Sequence, residues 1–125
     1  MRTGDRIMSF DISTDSPQPG TVIVRFTGQF DFSHVATARA SINQQIEEGA
    51  RLIIINLDGL DYIDSAGLGV LVGTLARLRD RHGELAVVCQ SPRIRRVFEI
   101  TRLTQLISLM DSESDALTAR PAPSS

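Results

Sequence analysis

A short run of apolar residues in the middle of the chain, residues 52–57, constrains the fold more than any other feature. Such a continuous run is typical of a central strand that is covered on at least one face. Residues 58–64 follow as a predicted loop. A helix of roughly four turns then begins at Ala66, and its apolar stripe consists of Leu68, Leu71, Val72, Leu75 and Leu78. A buried strand followed by an amphipathic helix predicts an α/β layer.

The N-terminal part of the chain predicts a hairpin followed by a helix. Residues 8–12 show the alternating pattern of a half-buried strand, and residues 21–26 predict a second strand. The turn-forming composition of residues 15–20 joins them as an antiparallel pair. Asp31 and Ser33 are both candidate N-caps for a helix whose buried face carries Val35, Ala38, Ile42 and Ile46.

The C-terminal part continues the alternation of strands and helices. Residues 84–89 predict a further strand. Ser91 and Pro92 predict the start of a helix that buries Ile94, Val97, Phe98 and Thr101. Residues 106–109 predict a short edge strand, after which Asp111 is the candidate cap of a last short helix.

This order of elements predicts an α/β fold with a mixed sheet of four to five strands and about four helices. An antiparallel hairpin precedes a largely parallel inner sheet. At 125 residues the chain fits one domain, and no internal repeat is visible. We assign residues 1–119 to this domain and predict that residues 120–125 form a disordered tail.

Composition and charge exclude several classes of function. The net charge is −2, and no basic stripe is long enough to predict nucleic-acid binding. No segment is long and apolar enough to predict a membrane span, and residues 1–5 lack a signal-peptide core, so we expect a cytoplasmic protein. The single cysteine, Cys89, excludes an internal disulfide, and its apolar neighbours predict that it is buried.

Ser65 stands at the predicted junction of strand and helix, which first suggests an acyl-transfer enzyme. The nucleophile-elbow pattern needs glycine two residues to either side of the serine, but Ile63 and Gly67 stand there. The candidate bases are His34 and His82, and the second stands about 25 Å from Ser65 along the helix at roughly 1.5 Å per residue. We therefore predict that Ser65 is not a catalytic nucleophile and that the protein is not an enzyme.

Small residues share one face of the central helix, away from its apolar stripe: Ala66, Gly69, Val70 and Gly73. The glycines resemble a dinucleotide-binding fingerprint only weakly, because roughly nine residues separate the preceding strand from Gly67. The face could let another protein approach closely, or it could pack on another helix of the same domain. The pattern alone favours neither interpretation.

Three carboxylates ahead of the same helix, Asp58, Asp61 and Asp64, invite a metal-site hypothesis. Hard cations need several convergent oxygens, and the spacing of a calcium-binding loop is absent. A solvated loop in which a carboxylate caps the helix is the stronger interpretation. We predict neither a metal nor a cofactor.

Three segments together resemble the STAS-domain family, specifically its free-standing bacterial anti-sigma factor antagonists. Residues 26–31, FTGQFD, are similar to the family's TGELD segment. Residues 55–57 and 62–69 are similar to its signature, which usually ends Asp-Ser-Ser/Thr-Gly-Leu-Gly. Residues 87–98 resemble its later strand and helix. The resemblance covers most of the chain and implies a STAS fold, with helices mainly on one face of the mixed sheet.

The resemblance implies a partner-switching protein. In its unphosphorylated state it would bind an anti-sigma factor, often itself a serine kinase, and so free a sigma factor. The kinase would phosphorylate the serine after the signature aspartate, which here is Ser65, and a PP2C-type phosphatase would reset it. The predicted partner-binding set is Asp31, Asp64, Ser65, Ala66, Gly67, Gly69, Val70 and Gly73.

One departure from the family pattern concerns Ala66, where a serine or threonine is usual, so Ser65 carries the only acceptor hydroxyl of the motif. A phosphate adds about −1.5 to −2 charges, and here it would meet the N–H groups of Gly67 and Leu68 at the helix start. We therefore expect phosphorylation to change binding and to leave the fold intact. Two alternatives stay open: a STAS accessory subunit of a transporter or stress-sensing assembly, and a nucleotide-binding sensor.

Overall fold

Residues 9–118 are described by the computed structural model, and five of their segments form one sheet. The strands lie side by side in chain order: β1, Phe10–Gln18; β2, Thr21–Phe30; β3, Leu52–Ile63; β4, Glu84–Val88; and β5, Leu109–Met110. β1 pairs antiparallel with β2, and every later pair is parallel. This confirms the mixed sheet. Residues 1–8 and the predicted tail, residues 120–125, lie outside the described range.

Four α-helices belong to this part of the chain: α1, Val35–Glu47; α2, Ser65–Asp80; α3, Pro92–Ile100; and α4, Glu113–Thr118. Two short 3-10 turns, Phe32–His34 and Leu103–Gln105, precede α1 and β5. The first three helices share a core with one face of the sheet. The fourth lies on the other face, where Ala116 is buried in a cluster with Ile23 and Ile54. The prediction of helices mainly on one face is therefore confirmed.

The apolar patterns of the sequence correspond to buried positions. α1 buries Ala38, Ile42 and Ile46, as its period predicts, whereas Val35 at its first position is only half-buried. The stripe of α2 buries all its leucines, whereas Val72 is half-buried. Cys89 is fully buried, and this burial raises the pKa of its thiol. The core thus consists of one sheet face with helices α1, α2 and α3 against it.

The hairpin strands are longer than the sequence predicts. β1 runs to Gln18, through most of the predicted turn, and the chain reverses at Pro19 and Gly20. β2 continues through Gly28, which has a φ of 97°. A Cβ atom there would overlap the carbonyl oxygen of Ser9, so only glycine lets the strand pass this point. Gly28, which lies beyond the predicted end of the strand at residue 26, therefore allows β2 to continue to Phe30.

The predicted loop at residues 58–64 is wrong, because β3 extends to Ile63. Its second half pairs in parallel with the extension of β2, with Leu60 opposite Gly28 and Ile63 opposite Phe30. Leu60 and Ile63 are both buried in the main core. The acidic composition of this segment reflects its exposed positions, and the pairing with β2 decides its conformation.

Helix α3 begins as predicted and ends differently. The Ser91 hydroxyl accepts a hydrogen bond from the N–H of Ile94 at 3.4 Å, and Pro92 occupies the first helical position. Phe98 is fully buried. The prediction that Thr101 is buried is wrong: the residue is exposed and ends the helix, where its hydroxyl donates to a backbone carbonyl.

The last elements also differ from the prediction. The edge strand is Leu109–Met110 and not residues 106–109: a 3-10 turn ends at Gln105, and residues 106–108 form a turn and a bend before the strand begins. The cap of α4 is Ser112, whose hydroxyl accepts a hydrogen bond from the N–H of Asp115 at 3.0 Å. Asp111, the predicted cap, instead lies 3.4 Å from the Arg95 guanidinium.

Candidate functional site

The predicted site residues meet at one edge of the sheet. β2 and β3 are parallel and end together, with Phe30 opposite Ile63. Asp31 and Asp64 therefore follow the two strands at the same carboxyl edge, which is where open α/β sheets commonly place ligand and partner sites. Ser65 begins α2 from this edge.

Asp64 connects the two segments that leave this edge. One carboxylate oxygen, Oδ1, accepts a hydrogen bond from the N–H of Gly67 at 2.9 Å and so caps α2. The other, Oδ2, accepts from the N–H of Phe32 at 3.1 Å, in the 3-10 turn that follows β2. One side chain thereby holds the start of α2 against that turn.

Ser65 is not the cap of α2, because Asp64 occupies that position. Ser65 is the first helical residue, it is exposed, and its hydroxyl makes no hydrogen bond within the described part of the chain. Because Asp64 already caps the helix, Ser65 is available for chemistry at its oxygen. A modification of the Ser65 hydroxyl would therefore break no hydrogen bond of the described fold.

Asp31 caps the 3-10 turn and not helix α1, which begins after His34 without a side-chain cap. Its carboxylate accepts hydrogen bonds from the Ser33 hydroxyl at 2.6 Å and from the Ser33 N–H at 3.0 Å. The bond from the hydroxyl is the largest cause that holds the pKa of Asp31 below its ordinary value. Asp31 is thus a charged group of this edge at neutral pH.

The face of small residues on α2 is exposed only in part. Gly69 and Gly73 are exposed, and a Cβ atom at either position would meet nothing within 4 Å. Ala66 is half-buried. Val70 belongs to the main core, so its predicted place on a free surface is wrong. The internal-packing interpretation therefore holds for Val70, and the open-surface interpretation for the two glycines.

Gly67 has a different role from the one expected for it. It is buried, and a Cβ atom there would stand 2.8 Å from the carbonyl oxygen of Phe30 and 2.9 Å from Cγ1 of Ile63. The close approach that this glycine allows is therefore between α2 and the ends of β2 and β3. It brings the helix start down onto the sheet edge.

Two exposed aromatic residues at this edge were not singled out in the sequence. Phe32 has 78% of its surface exposed, and Tyr62, in β3, has 48% exposed. Phe32 stands between two polar residues and lies outside the buried face of α1, which was the available signal. By contrast, Phe26 and Phe30 are fully buried, and their rings lie 4.9 Å apart in an edge-to-face arrangement.

The other candidate residues of this region make structural contacts. The Asp58 carboxylate accepts a hydrogen bond from the N–H of Gln90 at 2.7 Å, which ties β3 to the segment after β4. Within residues 9–118, no group of three or more acidic, histidine or cysteine side chains is placed to hold a metal ion. No helix in the same range has the length and hydropathy needed to cross a membrane.

Comparisons with known proteins match most of the chain. The family model described as STAS domain matches residues 15–116. The anti-sigma F factor antagonist of Paenibacillus polymyxa is 30% identical over 100 residues, which are 79% of this chain and 86% of the relative. The anti-sigma-B factor antagonist of Staphylococcus aureus is 38% identical over 84 residues, which are 67% and 78% of the two chains.

Solved structures agree with the sequence relatives. The anti-sigma factor antagonist SpoIIAA in its unphosphorylated form is 28% identical to this chain, with a TM-score of 0.76 over 87% of this chain and 95% of that chain. Bacillus SpoIIAA in the phosphorylated form is also 28% identical, with a TM-score of 0.70 over 89% and 100% of the two chains. The same fold thus accommodates both forms of that relative.

Proposed function

Because the chain belongs to the STAS domain family, we propose that it is an anti-sigma factor antagonist that phosphorylation of Ser65 switches off. Unphosphorylated, it binds an anti-sigma factor with serine kinase activity and so frees a sigma factor in the cytoplasm. A PP2C-type phosphatase restores the binding form. The antagonists to which the chain is similar support the first part of this proposal.

The observation that carries the proposal is the free Ser65 hydroxyl. It is exposed on the first residue of α2, beside a cap that Asp64 supplies. A kinase can reach the oxygen without breaking a hydrogen bond of the fold. The neighbouring position is Ala66, so this is the acceptor that the signature segment offers.

A phosphate on Ser65 would meet fewer backbone donors than the sequence suggests. The N–H of Gly67 already donates to the Asp64 side chain, and the N–H of Leu68 donates to the Asp64 carbonyl. The first two amides of the helix, those of Ser65 and Ala66, have no partner within the helix. They, with the helix dipole, make the start of α2 tolerant of the added charge.

Loss of binding then follows from charge at the contact surface. We assign this surface to the exposed and half-buried members of the predicted set: Asp31, Asp64, Ser65, Ala66, Gly69 and Gly73. A kinase that modifies Ser65 holds the phosphates of its nucleotide beside that oxygen. Once Ser65 carries its own phosphate, the like charges repel and the phosphate loses its water at the interface. Gly67 and Val70 contribute indirectly, because their burial sets how closely α2 packs on the sheet and in which direction it runs.

The test is phosphorylation by purified anti-sigma factor kinases of the source organism with labelled ATP. We expect the wild type and Ser13→Ala to be labelled equally, since Ser13 is an exposed serine of β1 outside the predicted contact set, and Ser65→Ala to remain unlabelled. We also expect Ser65→Glu to keep the circular dichroism spectrum of the wild type and to lose kinase binding. Label on the Ser65→Ala protein would refute the assignment.

A further inference from the structure

Phe32 is an aromatic side chain whose exposure the fold does not explain. It is the most exposed large apolar residue in the described part of the chain, at 78%, whereas Phe26 and Phe30 are fully buried. The half-buried ring of Phe10 stacks on that of Phe30 at 5.0 Å. A single exposed apolar residue is common on a protein surface. Exposure alone therefore does not give Phe32 a role in binding.

The second observation is that its backbone is held in place from both sides. The N–H of Phe32 donates to Oδ2 of Asp64 at 3.1 Å, and Asp31 caps the 3-10 turn in which Phe32 lies. An exposed ring on a fixed backbone loses little conformational entropy when it is buried by a partner. Aromatic residues presented in this way are typical of the anchors that supply most of an interface's binding energy.

The third observation is continuity with the proposed contact surface. The carboxylate that binds the Phe32 amide also caps the first turn of α2, which carries Ser65. A partner that covers the Ser65 hydroxyl closely enough to phosphorylate it therefore also covers the 3-10 turn. The exposed residues Ile100 and Leu106, in α3 and after the second 3-10 turn, have no such connection to Ser65.

We propose that Phe32 is the apolar anchor of the complex with the anti-sigma factor, whose surface provides an apolar pocket for the ring beside its kinase site. This inference rests on the proposed function and names the chemistry of the partner. The pocket is bordered by basic side chains, because residues 30–34 and 58–65 contain four carboxylates and no arginine or lysine. The anchor supplies affinity, and the charges guide the encounter.

The anchor also explains how one phosphate can switch binding. The ring reaches its pocket only if the surface between Phe32 and Ser65 is dehydrated. A phosphate at Ser65 keeps its water or loses it at a large cost in free energy. In either case the partner cannot close over Phe32, so the two positions act on the same complex.

The test is the affinity of a purified anti-sigma factor kinase that labels Ser65, measured by surface plasmon resonance with unphosphorylated variants. We expect Phe32→Ala to weaken binding by about 30-fold, mainly through faster dissociation. Phe32→Tyr should recover most of the affinity. Ile100→Ala is the matched control for loss of an exposed apolar side chain, and it should bind within about twofold of the wild type.

The outcomes separate this inference from the proposed function. Equal affinities of wild type and Phe32→Ala would overturn the anchor and leave the function standing. Equal losses in Phe32→Ala and Ile100→Ala would also overturn it. If no anti-sigma factor kinase bound or labelled the wild type, the function itself would be refuted, and the anchor with it. Urea unfolding of Phe32→Ala should match the wild type, because the ring contributes little to the core.

Discussion

Removal of the Asp64 carboxylate should loosen two segments at once, because the side chain accepts one hydrogen bond from each. Oδ1 binds the N–H of Gly67 at the start of α2, and Oδ2 binds the N–H of Phe32 in the 3-10 turn. Loss of an N-cap costs about 1 kcal/mol. The second bond adds about 1 kcal/mol, less than the roughly 1.5 to 3 kcal/mol usual for a charged acceptor, because the site is partly exposed.

We therefore expect Asp64→Ala to lower the free energy of unfolding by about 2 kcal/mol. For a domain of this size that corresponds to a fall in Tm of about 8 °C. Asp64→Asn should separate the two contributions, since asparagine is as good an N-cap as aspartate but turns an amide N–H₂ toward the Phe32 N–H. Its loss should be about 1 kcal/mol.

The measurement is urea unfolding followed by circular dichroism, with Asp61→Ala as the control. Asp61 is an exposed carboxylate of β3 that makes no hydrogen bond or ion pair within the described residues, so its removal should change stability by less than about 0.5 kcal/mol. If Asp64→Ala were no less stable than Asp61→Ala, the two hydrogen bonds would not hold this edge together.

Two further predictions concern α2 and α4. Gly67→Ala should destabilise the fold by about 1 to 3 kcal/mol, because its Cβ would press on Phe30 and Ile63. Gly69→Ala is the matched control, because a Cβ atom there meets open space; it should stabilise the fold by about 0.5 to 1 kcal/mol and weaken partner binding. If Gly67→Ala and Gly69→Ala had equal stabilities in chemical unfolding, the crowding at Gly67 would be contradicted. Glu113→Gln should cost about 1 kcal/mol at neutral pH, since hydrogen bonds from Arg25 at 2.8 Å lower the pKa of Glu113.

The sign of that pH dependence follows from the lowered pKa. The stabilisation by Glu113 is present above the ordinary value of 4.5 and is lost as the pH falls through the folded-state value below it. The stabilities of wild type and Glu113→Gln should therefore converge in acid. A difference that stayed constant from pH 7 to pH 3 would exclude the ion pair as its source.

The sequence predicts the order of elements well because periodicity is a local property. The buried face of α1 and the Ser91 cap of α3 depend on a few neighbouring residues, and both are confirmed. The second half of β3 could not be predicted in the same way. Its acids and glycine are typical of a loop, and only the pairing of Leu60 with Gly28 on another strand makes it part of the sheet.

The site shows the same limit. The position of Ser65 at a helix start follows from the local pattern, and the structure agrees. The hydrogen bond from the Phe32 N–H to Asp64 does not follow from the local pattern, because it joins residues 32 positions apart. The burial of Gly67 and Val70 likewise depends on how far α2 descends onto the sheet, which the period of a helix does not specify. Contacts between elements, and not propensity, decide these positions.

The strand order of the sheet has a consequence for how the molecule is made. Each strand pairs with the one that precedes it in the chain, so no strand waits for a partner that is synthesised later. During translation the hairpin of β1 and β2 can form first, and β3, β4 and β5 can each add to the newest edge as they emerge. Early strand edges are then covered in turn, which limits their exposure to other nascent chains.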